Sequence, residues 1–215
     1  MQFARLLPPP LAACLVLTLS PAAISTALAA SLATKAEVRG ILGRAQISRA
    51  GKAFETVTLG TSVQPGDVVQ TAAGSALDID LGVGVGLIRL TESTTVVIEK
   101  WSSAETTYDL NLFLRDGELL GRVVHPASPS RFQVKVNSGI GAIVEGQFRL
   151  SSKGQFVLLD GKAGYVQVPA GGEPVAHTLV TPPAQFFAAP GGVRAAPPEL
   201  VKEVNAQWRS KLPKH

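Results

Sequence analysis

Between Val38 and Val168 the chain repeats with a period of two, which constrains its fold more than any other feature. Leu77-Asp78-Ile79-Asp80-Leu81 alternates apolar and polar residues, as do Tyr108–Leu114 and Phe132–Asn137. Successive side chains of a strand point to opposite faces, so each run reads as a strand with one buried and one wet face. Shorter strand candidates are Arg44–Ser48, Val96–Glu99, Gly146–Leu150, Gln155–Leu159 and Tyr165–Val168. Turn residues separate them at Pro65-Gly66-Asp67, Asp116-Gly117, Lys153-Gly154 and Asp160-Gly161. Short strands at this spacing predict an all-β body, antiparallel and of sandwich or solenoid-like form. No run in this region has a helical period long enough to bury a face.

The ends differ from this middle. Arg5 is the only charge before Lys35, and the stretch between them is apolar. One basic residue, an apolar run and Ala27-Leu28-Ala29 predict an export signal over residues 1–29, cleaved after Ala29. The unbroken apolar run Leu11–Leu19 is short of the ~20 residues a membrane span needs, so no span is expected after cleavage. Leu11-Ala12-Ala13-Cys14 is similar to a lipobox, which would put a lipid on Cys14; the continued apolar run after Cys14 argues against it. The β-domain is placed at 35–169. Pro169-Ala170-Gly171-Gly172 opens an extended linker over 170–198, with one further strand at 175–180. A helix is expected over 199–212, with Pro198 and Glu199 suited to its first turn. Leu200, Val204, Trp208 and Leu212 recur every four residues and form one apolar stripe. That stripe either docks on the β-body or binds a partner.

Reactive constellations are weak. His125, His177 and His215 are far apart and have no metal-ligand spacing, so no metal is expected. The one cysteine lies in the predicted signal, which leaves no thiol for catalysis. Ser75 lacks a nucleophile-elbow setting. Asp78 and Asp80 share a strand face and are read as solvated; paired acids of a glycan-acting enzyme are the alternative. Gly82-x-Gly84-x-Gly86 lacks the dinucleotide spacing and precedes another strand-like run, so a hairpin is expected there and no cofactor. The pI near 9.4 suggests a nucleic-acid binder, but the basic residues are scattered among acids and aromatics are 6%. Cleavage after Ala29 would leave 19 Lys and Arg against 16 Asp and Glu, a net +3.

The order of motifs resembles the FecR domain family. Gly60–Leu77 carries Gly66-Asp67, then Val68, Thr71 and Ser75 before an alternating strand. Thr91–Thr94 is similar to the family's threonine-bearing turn. Leu114-Arg115-Asp116-Gly117 follows, then Gly146-Gln147-Phe148 and Asp160-Gly161, so the resemblance covers about Glu37–Val168. Gln147 stands where the family usually has Thr, and Gly82–Gly86 lacks the usual Asp-Gly-Ser turn. The resemblance implies an extracytoplasmic, non-catalytic β-domain whose residues Gly66, Asp67, Thr71, Ser75, Gly117, Gly146, Phe148 and Gly161 shape the fold. The family's sigma-regulating half is not expected here. The expected function is an exported binding or scaffolding module of the bacterial envelope, in the periplasm or at the cell surface. Its expected partner is an envelope protein or glycan, met through an exposed sheet edge or through Leu200, Val204, Trp208 and Leu212. A structural envelope component and a secreted glycan-acting enzyme are the alternatives.

Overall fold

The computed structural model describes residues 36–82, 84–104, 107–124, 130–181, 184–188 and 192–210. The predicted signal, Cys14, His125, Leu212 and His215 lie outside the described residues. The chain is all-β. Its strands are β1 (Ala36–Leu42), β2 (Ala45–Ser48), β3 (Glu55–Thr56), β4 (Ser62–Val63), β5 (Val68–Thr71) and β6 (Ala76–Asp80). They continue as β7 (Gly86–Leu90), β8 (Thr95–Ala104), β9 (Thr107–Asp116), β10 (Glu118–Val123) and β11 (Arg131–Val136). The last are β12 (Gly139–Ser151), β13 (Phe156–Gln167), β14 (Val175–Val180), β15 (Gln185–Phe187) and β16 (Val193–Ala195), before the helix α1 (Pro198–Arg209). Among the described residues no helix is long and apolar enough to cross a membrane.

One hydrogen-bonded sheet runs β3-β2-β5-β8-β9-β11-β12-β10-β7-β6-β1-β4, with β13 on β12, and β14 and β15 on β13. Among the described residues every pairing is antiparallel except β9 with β11, so the sheet is mixed. It curls because consecutive strands turn a corner and continue in the other half. β2, β5, β8 and β9 are neighbours in one half; β1, β6, β7 and β10 are neighbours in the other. The four corners stack and bond one another through hydroxyls. Arg44 donates its amide to Ser75 Oγ at 2.9 Å, and Ala72 donates to the Arg44 carbonyl at 3.0 Å. The Thr71 hydroxyl donates to the Thr91 carbonyl and accepts the Thr94 amide at 3.0 Å. Thr94 Oγ1 accepts the Glu118 amide at 3.1 Å. A corner lifts backbone groups out of the ladder, and these side chains satisfy them inside the fold. Gly117 closes the last corner at φ +79°, where an added Cβ would overlap Thr94.

Inside the curl lies one core. Val38, Leu77, Ile79, Ile88 and Leu90 of one half meet Ile47, Val69, Val96, Leu112 and Leu114 of the other. Burying alternate residues of both halves against each other is the main driving force for closure. An edge-to-face run of rings, Phe132, Phe148 and Phe156, continues this core along β11, β12 and β13 at centroid distances of 5.9 and 5.8 Å.

Several expectations change. Asp160-Gly161 is not a turn: β13 runs unbroken from Phe156 to Gln167, and Gly161 faces Gly146 across the ladder beside register shifts in β12. Both glycines have positive φ, and a Cβ on either would strike the opposite backbone. The pair is therefore a mid-strand bulge, where the sheet changes partners from β11 to β10. The sheet does not stop at 169, since β14, β15 and β16 add to it within the stretch expected as linker. The expected strand at 175–180 is β14, and β6 and β7 form the hairpin expected around Gly82–Gly86.

Candidate functional site

The residues singled out from the family resemblance lie along the corners and the bulge. Gly66 donates its amide to the Ile98 carbonyl at 2.8 Å. Asp67, 3% exposed, accepts the Gln64 amide at 2.9 Å and pairs with Arg49 at 3.4 Å. Thr71 and Ser75 bond neighbouring corners, and Gly117, Gly146 and Gly161 permit backbone approaches as described. Phe148 is fully buried, with its ring against Gly121, its cross-strand partner. Gln147 donates its amide and its side-chain nitrogen to Asp160, the latter at 3.1 Å, which braces the bulge. These side chains are occupied with the backbone around them. Thr94, fully buried at the centre of the corner network, was visible in sequence only as part of the Thr91–Thr94 turn.

The outer face of the β7–β10–β12 half is covered by α1. Val204 is fully buried against Leu120, Val157 and Phe186, and Leu200 and Trp208 pack beside it. All three described residues of the stripe therefore pack against the sheet, Val204 fully and Leu200 and Trp208 partly buried. The helix is Pro198–Arg209, so it begins one residue before the expected 199–212 span and ends before that span does, at Arg209, and Pro occupies its first turn.

That docking also overturns the reading of Asp78 as a solvated acid. Asp78 and Arg89 are each 6% exposed and joined by two bonds of 2.7 and 2.8 Å. The same guanidinium donates to the carbonyls of Gln207 and Ser210 at 2.6 and 2.8 Å, which caps the C-terminal end of α1. Trp208 lies 5.7 Å from the Arg89 guanidinium and 5.9 Å from that of Arg122. Arg149 ties the same helix through Glu203 at 2.7 Å. Asp80 is apart from this cluster: it accepts the Gly82 amide at 2.8 Å and meets Arg39 at 3.7 Å. Asp78 and Asp80 therefore do not share a cleft, and the paired-acid arrangement of a glycosidase is not formed.

His177 stacks against Phe187 at 4.6 Å and lies opposite Tyr165 in the ladder. Among the described residues no group of three His, Cys, Asp or Glu side chains is placed to hold a metal. A cleft of about 400 Å³ is lined by Arg44, Gln46, Thr56 and Gln70, and the two glutamines bond each other.

Tyr108 is 4% exposed and its hydroxyl has no partner among the described residues. Burial pushes this phenol up to about 12. A folded value above the unfolded one (~10) favours the neutral phenol, so this stability is complete below pH ~10 and lost as pH rises through about 12. Burial raises Tyr165 in the same direction. Tyr108→Phe is expected to remove about 2–3 kcal/mol of the alkaline loss, read from urea midpoints between pH ~9 and ~12.5. An unchanged alkaline slope would show that Tyr108 ionises without unfolding.

The sheet ends on one long edge, β14. Among the described residues β14 pairs with β13 alone. Its amide phase follows from the bond between the Thr181 amide and the Gly161 carbonyl, 3.1 Å long. Antiparallel pairs alternate between bonded and non-bonded, so Val175, His177 and Leu179 bond to β13. The N–H and C=O groups of Ala176, Thr178 and Val180 therefore point away from the sheet. The other terminal strands, β3, β4 and β16, have two, two and three residues. β14 has six, with no Pro, Lys, Arg, Asp or Glu among them. Short length, charge and proline are the usual protections of an edge, and β14 has none of them. Comparison with protein-family models, curated proteins and solved structures finds no match to this chain.

Proposed function

We propose that the chain is an exported, FecR-like module of the bacterial cell envelope that binds or scaffolds a partner without catalysing a reaction. The observation that carries this reading is the open, unprotected edge of β14, which offers three residues' worth of outward N–H and C=O groups to an added strand. The motif order from Glu37 to Val168 supports the same reading, as does the engagement of Asp78 by Arg89 and α1. Strand addition takes its affinity from main-chain bonds and its selectivity from alternate side chains, and the β14 edge supplies both.

The test is capture of envelope components by the immobilised full chain. Thr178→Pro removes an outward donor and leaves the bonds from His177 and Leu179 to β13 in place, so the fold is kept. Thr178→Lys adds charge to the edge. Each variant is expected to lose the partner that the parent chain retains. Equal retention by both variants, with unchanged melting, would show that the edge is not the contact surface.

A further inference from the structure

We propose that the occupant of the β14 edge is a second copy of the chain, joined by antiparallel β14–β14 pairing about a twofold axis at Thr178. The inference rests on reading that edge as a contact surface, and it names the partner.

The argument is one of register. An added strand must present bonding groups at every second residue, and its side chains must follow the alternation of the edge. In β14 the outward groups belong to Ala176, Thr178 and Val180. A second β14 running antiparallel, with Thr178 opposite Thr178, sets Ala176 opposite Val180 on both sides of the axis. All three outward residues of each copy then exchange two bonds with a residue of the other. Residues on the core side meet residues on the core side, since a twofold axis normal to the sheet preserves its faces. A shift of one residue destroys this match, because it turns every side chain to the wrong face.

Charge permits the contact. Like charges directly opposite are the common barrier to self-pairing, and none lies between Val175 and Thr181. Thr against Thr is a favourable cross-strand pair. The geometry also closes: an isologous contact uses the edge of both copies, so pairing stops at two. That explains how a six-residue edge without protection avoids open-ended association. A contact of six residues a side is small beside a standard interface of ~1,200–2,000 Å², so the pair is expected to exchange with the monomer.

The test uses the full chain carrying Cys14→Ser, with single cysteines added and mild oxidation. At the axis, the Cα atoms of two opposed residues at 178 lie ~5.5 Å apart, within disulfide range. Residues 176 of the two copies are offset by four positions, ~13 Å along the strands. Thr178→Cys is expected to cross-link to a dimer and Ala176→Cys to remain a monomer. Sedimentation of the parent chain is expected to show the mass rising from one chain to two with concentration. Thr178→Lys, which places like charges at the axis, is expected to stay at one.

A single-chain mass for the parent at every concentration, with no link from Thr178→Cys, overturns the second copy. If envelope capture still depends on Thr178 in that case, the binding role stands and only its occupant was wrong. A link from Thr178→Cys alongside capture insensitive to Thr178 would keep the dimer and remove the envelope-partner reading. Linking of Ala176→Cys in place of Thr178→Cys overturns the register.

Discussion

Arg89→Met is expected to cost the folded chain about 3–5 kcal/mol, because it leaves Asp78 buried without its cation. Both partners are 6% exposed, so water cannot take over the lost bonds. The same guanidinium also holds the last turn of α1 through Gln207 and Ser210, so the loss reaches the helix. Two tryptophans are present, and a Trp101→Phe background leaves Trp208 to report on docking. Its emission should shift to the red in Arg89→Met at denaturant levels where the sheet is still folded. Asp78→Leu combined with Arg89→Met should recover much of the stability, since an apolar pair in place of a buried ion pair is often neutral. It should not restore the helix end, whose carbonyls still lack a donor. A loss below about 1 kcal/mol for Arg89→Met would mean that the pair is hydrated and that α1 is held by its apolar face alone.

Phe148→Ala is expected to cost about 3–5 kcal/mol by chemical denaturation. The ring is fully buried, edge-on between Phe132 and Phe156 at interplanar angles of 79° and 72°. It also fills the space above Gly121, where no side chain of the partner strand exists. Removing it opens a cavity bounded by rings and by β10 backbone, neither of which can collapse cheaply. Phe54→Ala, at a position 45% exposed, is the control and should change stability by no more than about 0.5 kcal/mol. Equal effects at the two positions would mean that the aromatic run does not brace the fold.

Much of the sheet was legible along the chain, for a local reason. In β9 Tyr108, Leu110, Leu112 and Leu114 are buried while Thr107, Asp109, Asn111 and Phe113 between them are half-buried, as the period of two predicts. The turn at Pro65-Gly66-Asp67 and the hairpin around Gly82–Gly86 also rest on neighbours in sequence. Asp160-Gly161 shows where that logic ends. The dipeptide is the same signal as Asp116-Gly117, yet one sits in a bulge and the other at a corner. The difference is what faces them: Gly146 across a continuous ladder for Gly161, the corner residue Thr94 for Gly117.

The candidate site divides in the same way. Val175–Val180 read as a strand from its own residues, but nothing in them says that its far side is open. Alternation put Asp78 on the outer face of β6 and did not reveal that a helix more than a hundred residues later covers that face. β15 and β16 were hidden in a stretch rich in Ala, Pro and Gly, because each is three residues long and is held by pairing more than by propensity.

By itself, then, the sequence determined many of the longer strands and their buried faces, the all-β class and the apolar stripe of α1. Those follow from a period of two or of 3.6 and from turn chemistry, which act over a few residues. Only the tertiary structure decided which outer face the helix covers, which glycines bend a strand and which end it, and which edge stays unpaired. Those depend on contacts between residues far apart in the chain, where burial and hydrogen-bond satisfaction are settled by the partner and not by the residue alone.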